Sequence, residues 1–168
     1  MAEQLYSRQA LGNIADLSVA SATAQYPVGT EIETIDNATG QLKKYIYIKN
    51  SAANLAAKAS SVITLSAVAG AELVAGVPAT STVYILAGIS PIAVTANYYF
   101  WLQTYGNALT LTANSVTTGN TVKLANGVAT VTDESGVAET AKTIGIAKSD
   151  CTGAGTVTTF LIGKRITI

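Results

Sequence analysis

Apolar and polar residues alternate with a period of two through much of this 168-residue chain, most clearly over residues 98–105. Tyr99, Trp101 and Gln103 fall on one side of that stretch, and Tyr98, Phe100, Leu102 and Thr104 on the other. Aromatic and β-branched side chains fit a pleated, half-buried surface, so the stretch predicts a strand. Rings on both faces imply that neither is wet: the strand is central to a barrel, or one face meets another subunit. Gly106-Asn107 then offers residues tolerant of positive φ. With Leu109 and Leu111 alternating against Thr110 and Thr112, it predicts a tight turn and a returning strand.

The same period recurs on either side. Residues 29–35 alternate around Ile32, residues 36–40 form a turn signal, and residues 43–49 place Tyr45 and Tyr47 on one face, Ile46 and Ile48 on the other. This predicts a hairpin, with Lys43, Lys44 and Lys49 protecting an exposed edge. Residues 50–59 are alanine-rich, with Asn50 or Ser51 able to cap, and predict one or two helical turns or a loop of small residues. Short β-branched runs at 62–65, 72–74 and 82–86 are separated by glycine and proline. Further strands are predicted at 121–124, 128–131, 143–147 and 156–162, with Asn126-Gly127 as a hairpin signal and turns at 116–120 and 133–136. The fold class this implies is mainly β, a small antiparallel β-barrel or sandwich with a β-hairpin region and an extended N-terminal arm. The division is an arm at 1–26, a hairpin-containing β region at 27–79 and a small β-barrel domain at 80–168.

The arm fits neither period. Leu5, Tyr6, Leu11, Ile14, Leu17 and Val19 are apolar, Gly12-Asn13 interrupts a helical reading of 3–10, and small residues lead to Tyr26-Pro27, where the chain becomes extended. Six apolar side chains would be wasted on a disordered tail, so the arm is expected to lie on a neighbour.

Composition narrows the function. Charged residues make up 12% of the chain, about half the usual share, and ten basic and ten acidic residues cancel. Such a surface gives little colloidal protection to a free monomer and suits an assembly. The absence of histidine removes the commonest general base and metal ligand, and with them a nucleophilic triad. The single cysteine, Cys151, excludes an internal disulfide and a cysteine zinc site, and nothing near it in sequence activates it. Glu31/Glu33 read as a solvated strand face and Asp133/Glu134 as a turn, so neither suits a glycosidase dyad. Gly153-Ala154-Gly155 precedes a strand, which leaves a phosphate loop unsupported, and no aspartates alternate as a calcium loop needs. No catalytic residue, cofactor or metal is expected. Lys43, Lys44 and Lys49 face Glu31 and Glu33, which argues against nucleic acid. The most apolar window, 62–77, is broken by Ser66, Gly70, Glu72 and Gly76 and falls short of the roughly 20 residues of a membrane span. The first residues have no cationic start and no apolar run, so a signal peptide is not expected.

Three strings, ISPIAVTANYYFWLQTYG, TGNTVKLANGVATV and TIGIAKSD…GTVTTFLIGKRI, resemble the capsid decoration (cement) proteins of tailed bacteriophages. Tyr99, Trp101 and Gln103 match a tyrosine-x-tryptophan-x-glutamine strand. Val122-Lys123-Leu124 and Gly127-Val128 match a strand pair around a glycine, and residues 144–147 match an isoleucine-glycine-isoleucine-alanine strand. The resemblance covers roughly the second half of the chain. It implies a structural virion protein, made in the host cytoplasm, that binds the outside of the capsid lattice and stabilises it. Its partners would be the major capsid protein and copies of itself, as a homotrimer, with neither nucleic acid nor membrane. Candidate partner contacts are Leu5, Tyr6, Arg8, Leu11, Ile14 and Leu17 of the arm, and Tyr45, Tyr47, Tyr99 and Trp101 of the aromatic strands. A second reading is a carbohydrate- or surface-binding β module with Trp101 and nearby tyrosines as a stacking platform. The exposure of Trp101 separates the two.

Overall fold

The computed structural model describes residues 16–36, 38–50, 53–65, 73–77, 85–125, 127–134 and 142–163. Among these the regular elements are all strands: β1 (Glu31–Asp36), β2 (Gln41–Asn50), β3 (Ser60–Leu65), β4 (Leu73–Gly76), β5 (Leu86–Ile89), β6 (Tyr99–Thr112), β7 (Thr121–Leu124), β8 (Val131–Asp133), β9 (Thr143–Ala147) and β10 (Gly155–Ile162). The mainly-β barrel expectation holds. No helix among the described residues is long and apolar enough to cross a membrane.

The strands run in the order β1-β2-β4-β3-β5-β6-β10-β9-β7-β8, with β2 also paired to β6 and β6 to β8. Those two additional pairings close two five-stranded rings, β2-β4-β3-β5-β6 and β6-β10-β9-β7-β8. Strand β6 belongs to both. Its residues 99–105 pair with 44–49 of β2, and its residues 105–112 pair with 155–162 of β10. Pairing is antiparallel except between β2 and β4 and between β6 and β8.

The expected turn at Gly106-Asn107 is not there; β6 continues through it for 14 residues. Gly106 has φ +87°, and a Cβ on it would stand 2.4 Å from the carbonyl oxygen of Leu42. Positive φ serves bulges and close backbone approaches as well as turns, and the sequence signal is the same for each. Between Lys44 and Tyr45 the register against β6 slips, leaving Thr104 as an extra residue whose hydroxyl donates to the Lys44 carbonyl at 3.3 Å. One inserted residue exchanges the faces of a strand. Before the bulge, Phe100 and Leu102 fill the first ring with Ile46, Ile48, Ile63 and Leu86. After it, Ala108 faces the second ring with Val122, Leu124, Val131, Val157 and Leu161, while Leu111 packs back on the first.

Two further expectations are corrected. Residues 53–59 form no helix: Leu55 bridges to Val94 with backbone bonds of 2.9 and 2.8 Å and is buried in the first ring's core. Alanine's helix propensity yields here to a long-range pairing. The lysines of β2 do not guard an edge either, since β2 pairs with β1, β4 and β6. Lys43 and Lys44 instead bond across to Asp36 (3.1 Å) and Glu33 (2.6 Å) on β1, the end of the sheet. Lys49 lies over the Tyr99 ring, 5.6 Å from its centre. Which strand lies beside β2 is decided by segments far along the chain, so local pattern could not settle it.

The turn signals at 36–40 and 126–127 do mark hairpins. Asp36 Oδ1 accepts from the Ala38 and Thr39 amides at 2.9 and 3.3 Å. Leu124 pairs with Val131 across the second turn, where Gly127 has φ +72°. Of the expected runs at 72–74 and 82–86 and the expected turn at 133–136, residues 72, 82–84 and 135–136 lie outside the described residues.

Candidate functional site

The pairing of β2 with β6 sets Tyr47 opposite Trp101 and Tyr45 opposite Gln103. Because side chains alternate across a strand, Tyr45, Tyr47 and Trp101 emerge on one face, outside the first ring. Ile32 joins them from β1. Ring centres are 5.0 Å apart for Tyr47 and Trp101, 5.2 Å for Tyr26 and Tyr47, 5.3 Å for Tyr26 and Trp101, and 6.1 Å for Tyr47 and Tyr99. Each such pair adds about 0.5–1.5 kcal/mol beyond its area burial.

Residues 16–26 roof this face. Leu17 and Tyr26 pack on the cluster, and the Gln25 amide donates to the Tyr47 hydroxyl at 3.0 Å. Burial pushes Tyr47 above the usual phenol range, and the bond from Gln25 opposes that shift. Both faces of β6 are therefore covered within one chain over residues 100–104. Of the ten expected partner contacts, Leu17, Tyr45, Tyr47, Tyr99 and Trp101 come together in this one cluster, while Leu5, Tyr6, Arg8, Leu11 and Ile14 lie outside the described residues. Tyr45, Tyr47 and Trp101 are 3%, 2% and 1% exposed, so the surface they were expected to offer is taken up by their own chain. Trp101 has no open ring face, and the carbohydrate reading loses its platform. Sequence reasoning missed that the second half of the arm belongs to the barrel; the signal was Tyr26, an aromatic ring placed just before the proline that starts the extended chain.

Where β6 passes from one ring to the other, an apolar groove of about 390 Å³ lies beside it. Ile89, Pro91, Ile92, Ala108 and Leu109 supply its apolar lining, with Lys43, Lys58, Gln103 and Asn107 among them and Leu17 at hand from the arm. The sequence singled out Asn107 only as part of a turn signal and Lys58 not at all.

The carboxylates at the second ring do structural work. Glu134, expected in an ordinary turn, is 3% exposed; it accepts from the Thr143 hydroxyl at 2.7 Å and from the Lys123 ammonium at 3.4 Å. Asp133 accepts from the Asn120 side-chain amide at 3.0 Å, and Asp150 from the Thr118 amide at 2.7 Å. That last bond holds the Asp150 carboxyl below its ordinary range. Together they tie down the turn between Val116 and β7. Cys151 is half-buried, and its Sγ lies 3.6 Å from the Gly153 carbonyl oxygen. Among the described residues no three acidic, cysteine or histidine side chains gather as a metal site would need.

Two closed five-stranded rings sharing one strand, with an aromatic outer face roofed by an arm, define the class of fold. Among solved structures the chain is similar to the N base of head fiber gp8.5 in bacteriophage phi29, at 11% identity and a TM-score of 0.50, covering 74% of this chain and 99% of that one. At that identity the likeness is one of fold. No protein-family model matches the chain, and no curated protein does.

Proposed function

We propose that the protein is a structural component of a bacteriophage virion that binds the outer surface of the capsid lattice and stabilises it. The observation that carries this reading is the likeness to a phage head fiber base over 99% of that structure. Low charge supports it, because surfaces with few ions lose little hydration free energy when they are buried in an assembly. Exposed Val19, Leu109, Val128 and Ile146 add apolar surface for contact. In this reading the chain forms a homotrimer, and Leu5, Tyr6, Arg8, Leu11 and Ile14 meet the major capsid protein. The test is co-sedimentation with purified capsids, together with the melting temperature of the shells and sedimentation velocity of the free protein. Stable attachment, a raised shell melting temperature and a mass of three chains are expected. A protein that stays in the supernatant at micromolar concentration would overturn the proposal.

A further inference from the structure

The groove beside β6 holds two features that the fold itself does not use. The first is Lys58, which lines it with a backbone φ of +66°. A residue with a Cβ reaches that conformation at a cost of about 1–2 kcal/mol, which glycine avoids and asparagine reduces. The turn is pinned on both sides: the Lys58 amide donates to the Ser90 carbonyl at 2.7 Å, and its carbonyl accepts from the Leu111 amide at 2.9 Å. Those bonds are made by the backbone, so any of the three residue types could supply them. Among the described residues no carboxylate is within ion-pair range of Lys58, unlike Lys43, Lys44 and Lys123. The second feature is the side-chain oxygen of Asn107, buried and without a hydrogen-bond partner.

We propose that this groove is the docking seat for an extended segment of the capsid protein, one that brings an apolar side chain and a carboxylate. The inference rests on the capsid-binding reading above and names the surface that carries it. The apolar side chain lies against Ile92 and Leu109, the carboxylate pairs with Lys58, and a backbone amide of the segment donates to Asn107. Leu109 is 51% exposed at the groove, as an unfilled apolar lining requires.

Charge disfavours the described barrel surface of a second copy as the occupant. Every described acidic side chain is already engaged within its own chain. Asp16 is bonded to Ser18, Asp36 to Lys43, Glu33 to Lys44, Asp133 to Asn120, Glu134 to Lys123 and Thr143, and Asp150 to Thr118; Glu31 also has a partner. Among the described residues, none has a carboxylate free to pair with Lys58, and a separate partner supplies it in this proposal.

The test uses the full chain and purified capsids. Lys58→Asn suits the left-handed backbone and removes the charge and its aliphatic stem while keeping the backbone bonds to Ser90 and Leu111, so its melting temperature should equal or exceed that of the parent. Its affinity for shells should fall about fivefold and depend less on salt, and Lys58→Glu should bind about tenfold more weakly or worse. A merely structural lysine would change melting and leave the salt dependence alone. Leu109→p-benzoylphenylalanine, irradiated on shells, should crosslink to a capsid-protein peptide that contains an aspartate or glutamate. Crosslinking to another copy, or to residues 1–15 of the same chain, overturns the proposal. So does shell affinity unchanged in both lysine variants, which would remove the groove while leaving capsid binding intact. Failure of the unmodified protein to bind shells removes both readings together.

Discussion

Ser21 and Tyr99 exchange both backbone hydrogen bonds, at 3.0 and 2.8 Å, as an isolated antiparallel bridge alongside the start of β6. The bridge makes residues 16–26 part of the barrel. Truncation should therefore act in steps. Removing residues 1–15 leaves Leu17, the Ser21–Tyr99 bridge and Tyr26 in the chain, so Trp101 emission should not move. Removing residues 1–26 strips Leu17 and Tyr26 from the aromatic face, costs about 3 kcal/mol and moves Trp101 emission to longer wavelength. Urea denaturation and fluorescence of the single tryptophan report both. Unchanged emission in the longer truncation would contradict the roofed arrangement.

Gly106→Ala should be among the most damaging single-methyl additions in the chain. The new Cβ meets the Leu42 carbonyl oxygen at 2.4 Å in a backbone with φ +87°. Clash and left-handed strain together predict a loss of about 2–4 kcal/mol. Gly40→Ala has φ +68° but nothing within 4 Å of the added carbon, so it should lose only about 1 kcal/mol. Equal losses in the two variants would show that backbone strain alone matters.

Glu134 and Lys123 form one ion pair, but the two ends differ in burial. The glutamate side chain is 0% exposed and the lysine 38%. Glu134→Ala abandons the Thr143 hydroxyl in a buried site and should cost about 2–3 kcal/mol. Lys123→Met takes the ammonium from that buried carboxylate where water cannot replace it, and should cost at least as much, about 3 kcal/mol. Chemical denaturation of the two variants measures both losses, and a Lys123→Met loss below about 1 kcal/mol would show that Glu134 does not depend on the ammonium.

The roofed hydroxyl of Tyr47 predicts a specific alkaline weakness. Burial raises its folded pKa above the unfolded phenol value of about 10, so at high pH the folded state holds a proton that the unfolded state releases. The stabilisation is complete below that unfolded value and is lost as pH climbs through the folded one. Tyr47→Phe should cost about 1 kcal/mol at pH 7 through the lost Gln25 bond, and should then lose less than the parent between about pH 9 and 11. Stability profiles that stay parallel over that window would refute the assignment.

Legibility in the sequence followed the range of the determining interaction. Residues 121–124 and 143–147 coincide with β7 and β9 because alternation and turn chemistry are local. The two-faced burial of Phe100 and Trp101 was also legible, since a wet strand face has no use for rings. What covers Trp101 was not, because Leu17 and Tyr26 reach it from far along the chain. Gly106 was misread because a bulge and a turn both need positive φ, and only the neighbouring Leu42 carbonyl tells them apart. The groove was invisible for a similar reason. Lys58 and Asn107 come from a loop and a strand that meet only after Leu111 has bonded to the Lys58 carbonyl.

The sharing of β6 decides how this molecule can be divided. A chain severed before Tyr99 leaves the first ring without its closing strand, and one severed after Thr112 leaves the second ring open in the same way. Each ring takes β6 with it, so no cut divides the chain into two complete rings. Heat should dismantle both in one cooperative step, and a pull on one ring passes into the other along a continuous backbone with no linker to yield.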